Sequence, residues 1–512
     1  MLVKVYGSAV FGIDATTITV EVNIDQGAGY HLVGLPDSAV KEGYQRIEAA
    51  LQNNDFKMPR RKVVVNMAPA DIKKEGSSYD LPIAVGILAA SNQLSLDLLG
   101  QYILMGELSL DGTLHPIKGV LPIAIQALKE GFKGIIVPEQ NGQEAAIVKG
   151  LEVYGCTNLM EVVEILDQVS NQEPIEYDTR ELFYNAQEQS EFDFRDIKGQ
   201  ENAKRAMEIA AAGGHNIILI GPPGAGKTMI SKRLTSILPP LTLEESLETT
   251  KIHSVSGQLK NGASLMSSRP FRSPHHTISS VALVGGGSFP TPGEISLAQN
   301  GILFLDEIPE FNRTALEVLR QPLEDRRVTI SRAKFTVDYP ANFMLVASAN
   351  PCPCGFYNIP SKQCSSAATC ASKYMSKISG PLLDRIDIHL EVEPVSIDEL
   401  SSVPKGETSA QVRTRVINAR AIQKDRFKDQ EDIHANAQMN ANMIREHCKL
   451  NEEAANLLKT AMERLGLSAR AYDRILKVSR TIADLSEEND IDQIHIAEAI
   501  GYRSLDREGW LN

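Results

Sequence analysis

The chain has 512 residues, too many for one hydrophobic core, and its 43% hydrophobic and 23% charged content is ordinary for soluble globular protein, so two to four domains are expected. With 52 Lys and Arg against 65 Asp and Glu, the acidic balance excludes attraction of nucleic acid by the molecule as a whole and confines any such contact to a local basic patch. Six cysteines are too few for a disulfide framework, LPIAVGILAA is far short of a bilayer span, and MLVKVYGSAVFGID has no signal-peptide pattern, so a cytoplasmic protein with no membrane partner is expected.

Residues 1–168 alternate strand and helix patterns. VKVYGSAVFGIDATTITVEVNI is rich in β-branched residues around turn signals and predicts a hairpin. SAVKEGYQRIEAALQNN has apolar residues at helical spacing after a Ser cap, RKVVVNMAP is a strand, and LPIAVGILAASNQL is a buried helix. YILMGELSLDGTLHP reads as a hairpin with an Asp-Gly turn, KGVLPIAIQALKEGF as a helix and KGIIVPE as a strand. Residues 169–193 are polar and acidic and predict a linker. A second α/β block spans 194–399, with strands NIILIG, GILFLDE, NFMLVASAN and IDIHLEV separated by helical segments, as a parallel sheet requires. Residues 400–512 carry helical patterns only.

The strongest chemical signal is GPPGAGKT: Gly221, Pro222, Pro223, Gly224, Ala225, Gly226, Lys227 and Thr228 stand between an apolar strand and a helix. Glycines at this spacing let backbone N–H groups converge on phosphate oxygens, and the helix N-terminus adds positive potential. Lys227 would reach the β- and γ-phosphates of ATP, and the Thr228 hydroxyl would ligate Mg²⁺. GILFLDE ends a buried strand in Asp306, for Mg²⁺, and Glu307, for the attacking water; the carboxyl ends of parallel strands are where ligands bind. NFMLVASAN ends in Asn350, placed to orient water, and PLLDRIDIHLEV supplies Arg385. PCPCGFYNIPSKQCSSAATC brings Cys352, Cys354, Cys364 and Cys370 into a C-x-C-x₉-C-x₅-C pattern that suits a structural tetrahedral Zn²⁺, with free thiols or a redox switch as alternatives.

Taken in order, PGEISLAQNGILFLDEIPEF, SANPCPCG, GPLLDRIDIHLEV and LSARAYDRILKVSRTIADL resemble the ComM/YifB family of AAA+ ATPases over nearly the whole chain. The motor is similar to magnesium chelatase ATPase subunits and, more distantly, to MCM helicases. The resemblance implies an α/β fold in three parts: a Lon/S5-like α+β N-terminal domain, a P-loop AAA+ parallel-sheet domain and a C-terminal helical lid. It implies that Asn350 is sensor 1, that Arg470 is sensor 2 and that Arg385 is an arginine finger reaching a neighbour's nucleotide site. Such a finger is worth ~10³ or more in rate. Head-to-tail contacts of this kind close into rings, and the family implies a homo-hexamer. The implied function is DNA branch migration during integration of incoming DNA in natural transformation.

Two insertions, SRPFRSPHHTISSVALVGGGSFPTPGE and EDRRVTISRAKFTVDYPANF, carry basic residues: Arg269, Arg272, His275 and His276 in the first, Arg326, Arg327, Arg332 and Lys334 in the second. The second reads as a β-hairpin. In related motors such elements face the central pore, where a basic loop tracks single strands or junctions of DNA without reading sequence.

The N-terminal part resembles the Lon-type protease fold. Aligning KKEGSSYDLPIA with the protease turn puts Ser78 at the nucleophile, but the position of the basic lysine falls on Leu121, with Lys118 and Lys129 out of register. A serine without a base is a weak nucleophile, so a catalytically silent domain is expected, with Ser77 or Ser78 as a helix cap. Two other functions remain open: a chelatase-type ATPase that remodels a protein partner, and an ATP-dependent protease.

Overall fold

The computed structural model describes residues 1–176, 183, 192–259, 265–287, 290–332, 335–355, 367–395, 406–430 and 433–506. The chain divides into two compact units, one made of 1–186 and 242–267, the other of 187–241 and 268–512. No helix among the described residues is long and apolar enough to cross a membrane.

In the first unit, β1 (Leu2–Phe11) and β2 (Asp14–Asp25) form the expected hairpin. The sheet continues through β3 (Tyr30–Val33), β4 (Lys62–Ala68), β5 (Tyr102–Leu104), β8 (Gly134–Pro138) and β9 (Glu152–Cys156), in the order β3-β4-β2-β1-β5-β8-β9. Between β5 and β8, Glu107–Leu108 (β6) and Leu114–His115 (β7) pair as the small Asp-Gly hairpin. The helices are α1 (Ser38–Asn53), α2 (Asp80–Ala90), α3 (Val120–Lys129), α4 (Glu139–Ala145) and α5 (Leu159–Leu166). Every residue of α2 is buried, because it packs on β1, β2 and α1 together. That is why its sequence is apolar all round instead of striped.

Two capping expectations fail. The cap of α1 is Asp37, whose carboxylate accepts from the Val40 N–H, and Ser38 is already helical. Neither Ser77 nor Ser78 caps α2, which begins from the 3₁₀ turn Ser77–Tyr79 without a side-chain cap. The Ser77 hydroxyl instead donates to the Glu107 carboxylate, and the Ser78 carbonyl accepts the Gly106 N–H.

Residues 242–267 fall within the 194–399 block expected from sequence, yet they belong to the first unit. The helix Leu243–Ser256 starts from a capping box of Thr242 and Glu245 and packs on α3. Glu144 is the tie. It is buried, accepts the Leu121 N–H at the start of α3 at 2.9 Å, and accepts the Ser254 hydroxyl at 2.5 Å. Burial pushes the Glu144 carboxyl up, and these hydrogen bonds oppose that shift.

The second unit holds a five-stranded, all-parallel sheet. Its strands are β10 (Ile217–Ile220), β11 (Phe271–Arg272), β12 (Ile302–Leu305), β15 (Met344–Ala349) and β16 (Ile388–Glu391), in the order β11-β12-β15-β10-β16. Four of these are the strands expected from sequence; β11 is an added edge. Arg327–Arg332 (β13) and Phe335–Pro340 (β14) make the expected basic hairpin. Helices α6 (Glu201–Gly213) and α7 (Lys227–Ile237) flank β10, and the C-terminal part is helical: α8 (Ser409–Arg426), α9 (Ala441–His447), α10 (Glu452–Leu465), α11 (Ala469–Leu485) and α12 (Gln493–Gly501).

Candidate active site

The loop between β10 and α7 forms the cradle. Gly224 and Gly226 have φ of 83° and 86°, a region that favours glycine, and nothing lies within 4 Å of where a Gly224 Cβ would stand. Lys227 is the first residue of α7. Its Nζ donates to the carbonyls of Gly221 at 2.7 Å and Pro222 at 3.0 Å, and to Asn350 Oδ1 at 3.1 Å. Burial lowers its pKa, while Asp306 and Glu307 pull it back up.

Three parallel strands deliver the polar groups. The Thr228 hydroxyl donates to Asp306 Oδ2 at 3.0 Å. Glu307 follows β12 in left-handed backbone, φ 53°, and its carboxylate accepts from Asn350 Nδ2 at 3.4 Å. Ser348, near the end of β15, joins the two acids: its hydroxyl donates to the other Asp306 oxygen and accepts the Glu307 N–H at 3.0 Å. Sequence reasoning missed Ser348. The only available signal was a hydroxyl two residues before Asn350 in an otherwise apolar strand.

The groups present fit a magnesium nucleotide. A lysine, a strand-end carboxylate and a hydroxyl bonded to that carboxylate converge beside a glycine turn with room above it. The chemistry is phosphate-binding, with Thr228 and Asp306 as the donors suited to a hard cation.

Other expected site residues are placed differently. Arg385 is nearly covered, its side chain 12% exposed, with Nη2 on Glu324 at 2.5 Å and Nη1 on the Pro381 carbonyl at 2.6 Å. Arg470 lies on α11, with its side chain exposed, and pairs with Asp384. Arg269 donates to the carbonyls of Pro239, Pro240 and Asn300, and Arg272 is held bidentately by Glu294, both oxygens at 2.6 Å. These two guanidinium groups are engaged by partners within the unit. Arg326 sits in left-handed backbone at the foot of the hairpin, 3.4 Å from the Gln438 carbonyl, while Arg327 is exposed. Lys334 and the Arg332 side chain lie outside the described residues.

Cys352 and Cys354 have sulfurs 3.1 Å apart in a turn whose Gly355 stands against Pro223; a Cβ there would lie 2.5 Å from the proline ring. Cys370 is on the helix Ala367–Met375, and Cys364 lies outside the described residues. Among the described residues no group of three or more His, Cys, Asp or Glu is arranged to hold a metal, and the four-thiolate zinc set expected from spacing includes Cys364, which lies outside them. Leu121, the residue that the expected protease alignment puts at the lysine position, is fully buried.

Three family models match: magnesium chelatase, subunit ChlI, over residues 193–400; subunit ChlI of Mg-chelatase over 20–141; and the ChlI C-terminal model over 406–503. Competence protein ComM of Haemophilus influenzae is 46% identical over 511 residues, covering 99% of this chain and 98% of that protein. YifB of Escherichia coli is 44% identical, covering 98% and 97%. The archaeal Lon protease of Methanocaldococcus jannaschii is 24% identical over 182 residues, 33% of this chain and 28% of that protein. The chain therefore belongs to the ComM/YifB family of magnesium chelatase-like AAA+ proteins, a membership that implies an ATPase working with ATP and Mg²⁺.

Proposed function

We propose that the protein is an ATP-driven DNA motor, assembled as a homo-hexameric ring, that migrates branched DNA during integration of incoming strands in natural transformation. The observation that carries the motor part is the meeting of Lys227, Thr228, Asp306, Glu307, Ser348 and Asn350 at the carboxyl ends of β10, β12 and β15. Lys227 binds the β- and γ-phosphates. Thr228 and Asp306 hold Mg²⁺, which neutralises phosphate charge when bound. Glu307, oriented by Asn350, takes a proton from the attacking water. Arg385, released from Glu324, would stabilise the transferring phosphoryl group in a neighbouring copy, so turnover depends on assembly.

The DNA part is supported by the name of the Haemophilus relative, a competence protein, and by the basic hairpin with its exposed Arg327. Arg326, Arg327, Arg332 and Lys334 are the proposed backbone contacts. A structural zinc on Cys352, Cys354, Cys364 and Cys370 belongs to the same reading on spacing alone. The first unit is proposed to be Lon-like in shape and proteolytically silent, in keeping with a buried leucine, Leu121, where the alignment with the protease puts its lysine.

The test is strand displacement on a four-way DNA junction with ATP. The intact protein is expected to resolve the junction into its migrated products, and Lys227→Ala to leave it intact while still binding DNA. ATP turnover indifferent to DNA of every structure would overturn the DNA part and favour remodelling of a protein partner.

A further inference from the structure

Two acidic residues bracket Arg385, Asp384 directly before it and Asp387 two residues after it, and both are held by one helix. Asp384 accepts Arg470, and Asp387 Oδ1 lies 3.0 Å from Arg474 Nη1. Arg470 and Arg474 are one helical turn apart on α11, hence on the same face. The two carboxylates differ in setting. The Asp384 side chain is 29% exposed, so its pair with Arg470 exchanges readily with solvent ions. The Asp387 side chain is 1% exposed. Its Oδ2 accepts Nδ1–H of the fully buried His215 at 2.9 Å, which leaves Oδ1 to the guanidinium of Arg474.

The same stretch is tied to the sheet by its backbone. Asn216 donates to the Arg385 carbonyl at 3.0 Å, accepts the Asp387 N–H at 3.0 Å through its own carbonyl, and accepts the Leu345 N–H at the start of β15 through its side chain at 2.8 Å. The Arg385 turn is thus pinned between the strands that carry the nucleotide site and a helix of the C-terminal part.

We propose that Arg474 is a positioning residue: through Asp387 it couples α11 to the turn that presents Arg385, so that the placement of one subunit's helix sets the aim of the guanidinium it offers to its neighbour. This rests on the reading of Arg385 as acting in trans. A shift of α11 must either carry Asp387 along or strip a buried carboxylate of its cation, and the second is strongly disfavoured. The turn therefore follows the helix, while the exposed Arg470–Asp384 pair is free to exchange.

The experiment is a double-mutant cycle on ATP turnover by the assembled full-length protein, using Arg385→Ala, Arg474→Gln and the double variant, with Arg474→Lys as the conservative change. Arg474→Gln is expected to lower kcat roughly tenfold or more with KM within about twofold. In the Arg385→Ala background it should cost nothing further, because its effect runs through a side chain already removed. Arg474→Lys should recover part of the loss by restoring the charge. Independent, multiplicative losses in the double variant would overturn the proposal, as would a change confined to KM or an unchanged kcat. If Arg474→Gln fails to assemble, the same cycle run with Arg474→Lys decides between the same outcomes. Should Arg385→Ala alone leave kcat untouched, the trans-acting reading itself fails, and this inference falls with it by a separately visible route.

Discussion

Ser348 has one hydroxyl and two tasks, donating to Asp306 and accepting from the backbone of Glu307. The second matters because Glu307 occupies left-handed backbone, at φ 53°, which costs about 1–2 kcal/mol for a residue with a side chain. Removing the hydroxyl frees the Asp306 carboxylate to rotate and releases the Glu307 turn. Partners that orient groups around a metal site are typically worth about 10–100-fold in activity. Ser348→Ala is expected to lower ATP turnover by about that factor while the melting temperature stays close to that of the unaltered protein. Turnover and melting measured side by side check it, and undiminished turnover would rule the role out. Lys227, Thr228, Asp306, Glu307 and Asn350 were legible because their spacing or strand-end placement is itself the chemical signal. Ser348 was not, because a small hydroxyl within a buried strand reads as filler. For Arg269 and Arg272 the charge was legible and the partners were not. Their charge is conspicuous in the sequence, but the carbonyls and the carboxylate that absorb it lie 22 to 31 residues away.

At the scale of one element, the helical pattern of residues 400–512 was readable, yet one stripe of α11 is polar and turned inward. Arg474, Lys477 and Thr481 recur every three or four residues and meet Asp387, the Ala437 carbonyl and His215. Burial lowers the Lys477 ammonium from 10.5 to about 8, with neighbouring Arg474 adding to the shift. In the window between those two values the unfolded chain keeps a proton that the folded chain has lost, so stability rises with pH there. Below the window both states are protonated and the folded state bears the buried charge. Denaturant unfolding across that window is expected to show Lys477→Met losing this upward slope, with a difference of up to about 3 kcal/mol from end to end. Parallel pH profiles for the two proteins would rule out a buried ammonium. The neutral His215 and the ionised Asp387 should not contribute in the same range. Burial lowers the imidazole pKa; it would raise the carboxyl of Asp387, but Arg474 and His215 hold it below the usual carboxylate range.

Across the whole molecule, alternating strand and helix patterns were enough to place two α/β blocks and a helical C-terminal part, because periodicity and strand-end chemistry are local properties. The partition of the chain was less legible. Nothing in LTLEESLETTKIHSVSGQ announces that this helix will leave the block in which it is encoded. Its capping box and its polar composition fit either location, and the deciding partner, Glu144, stands about a hundred residues earlier. The consequence is one of heredity. A single crossover between diverged relatives, falling near residue 187, would part the first unit from a helix it buries against α3. Chimaeras that take 1–186 alone from another member should therefore accumulate poorly and melt early, while those that also import 242–267 from the same donor should be rescued. Soluble yield and thermal melting of the two hybrids would read this out. The lineage is bound to inherit its N-terminal unit in two instalments, one of them written inside the stretch that encodes the second unit.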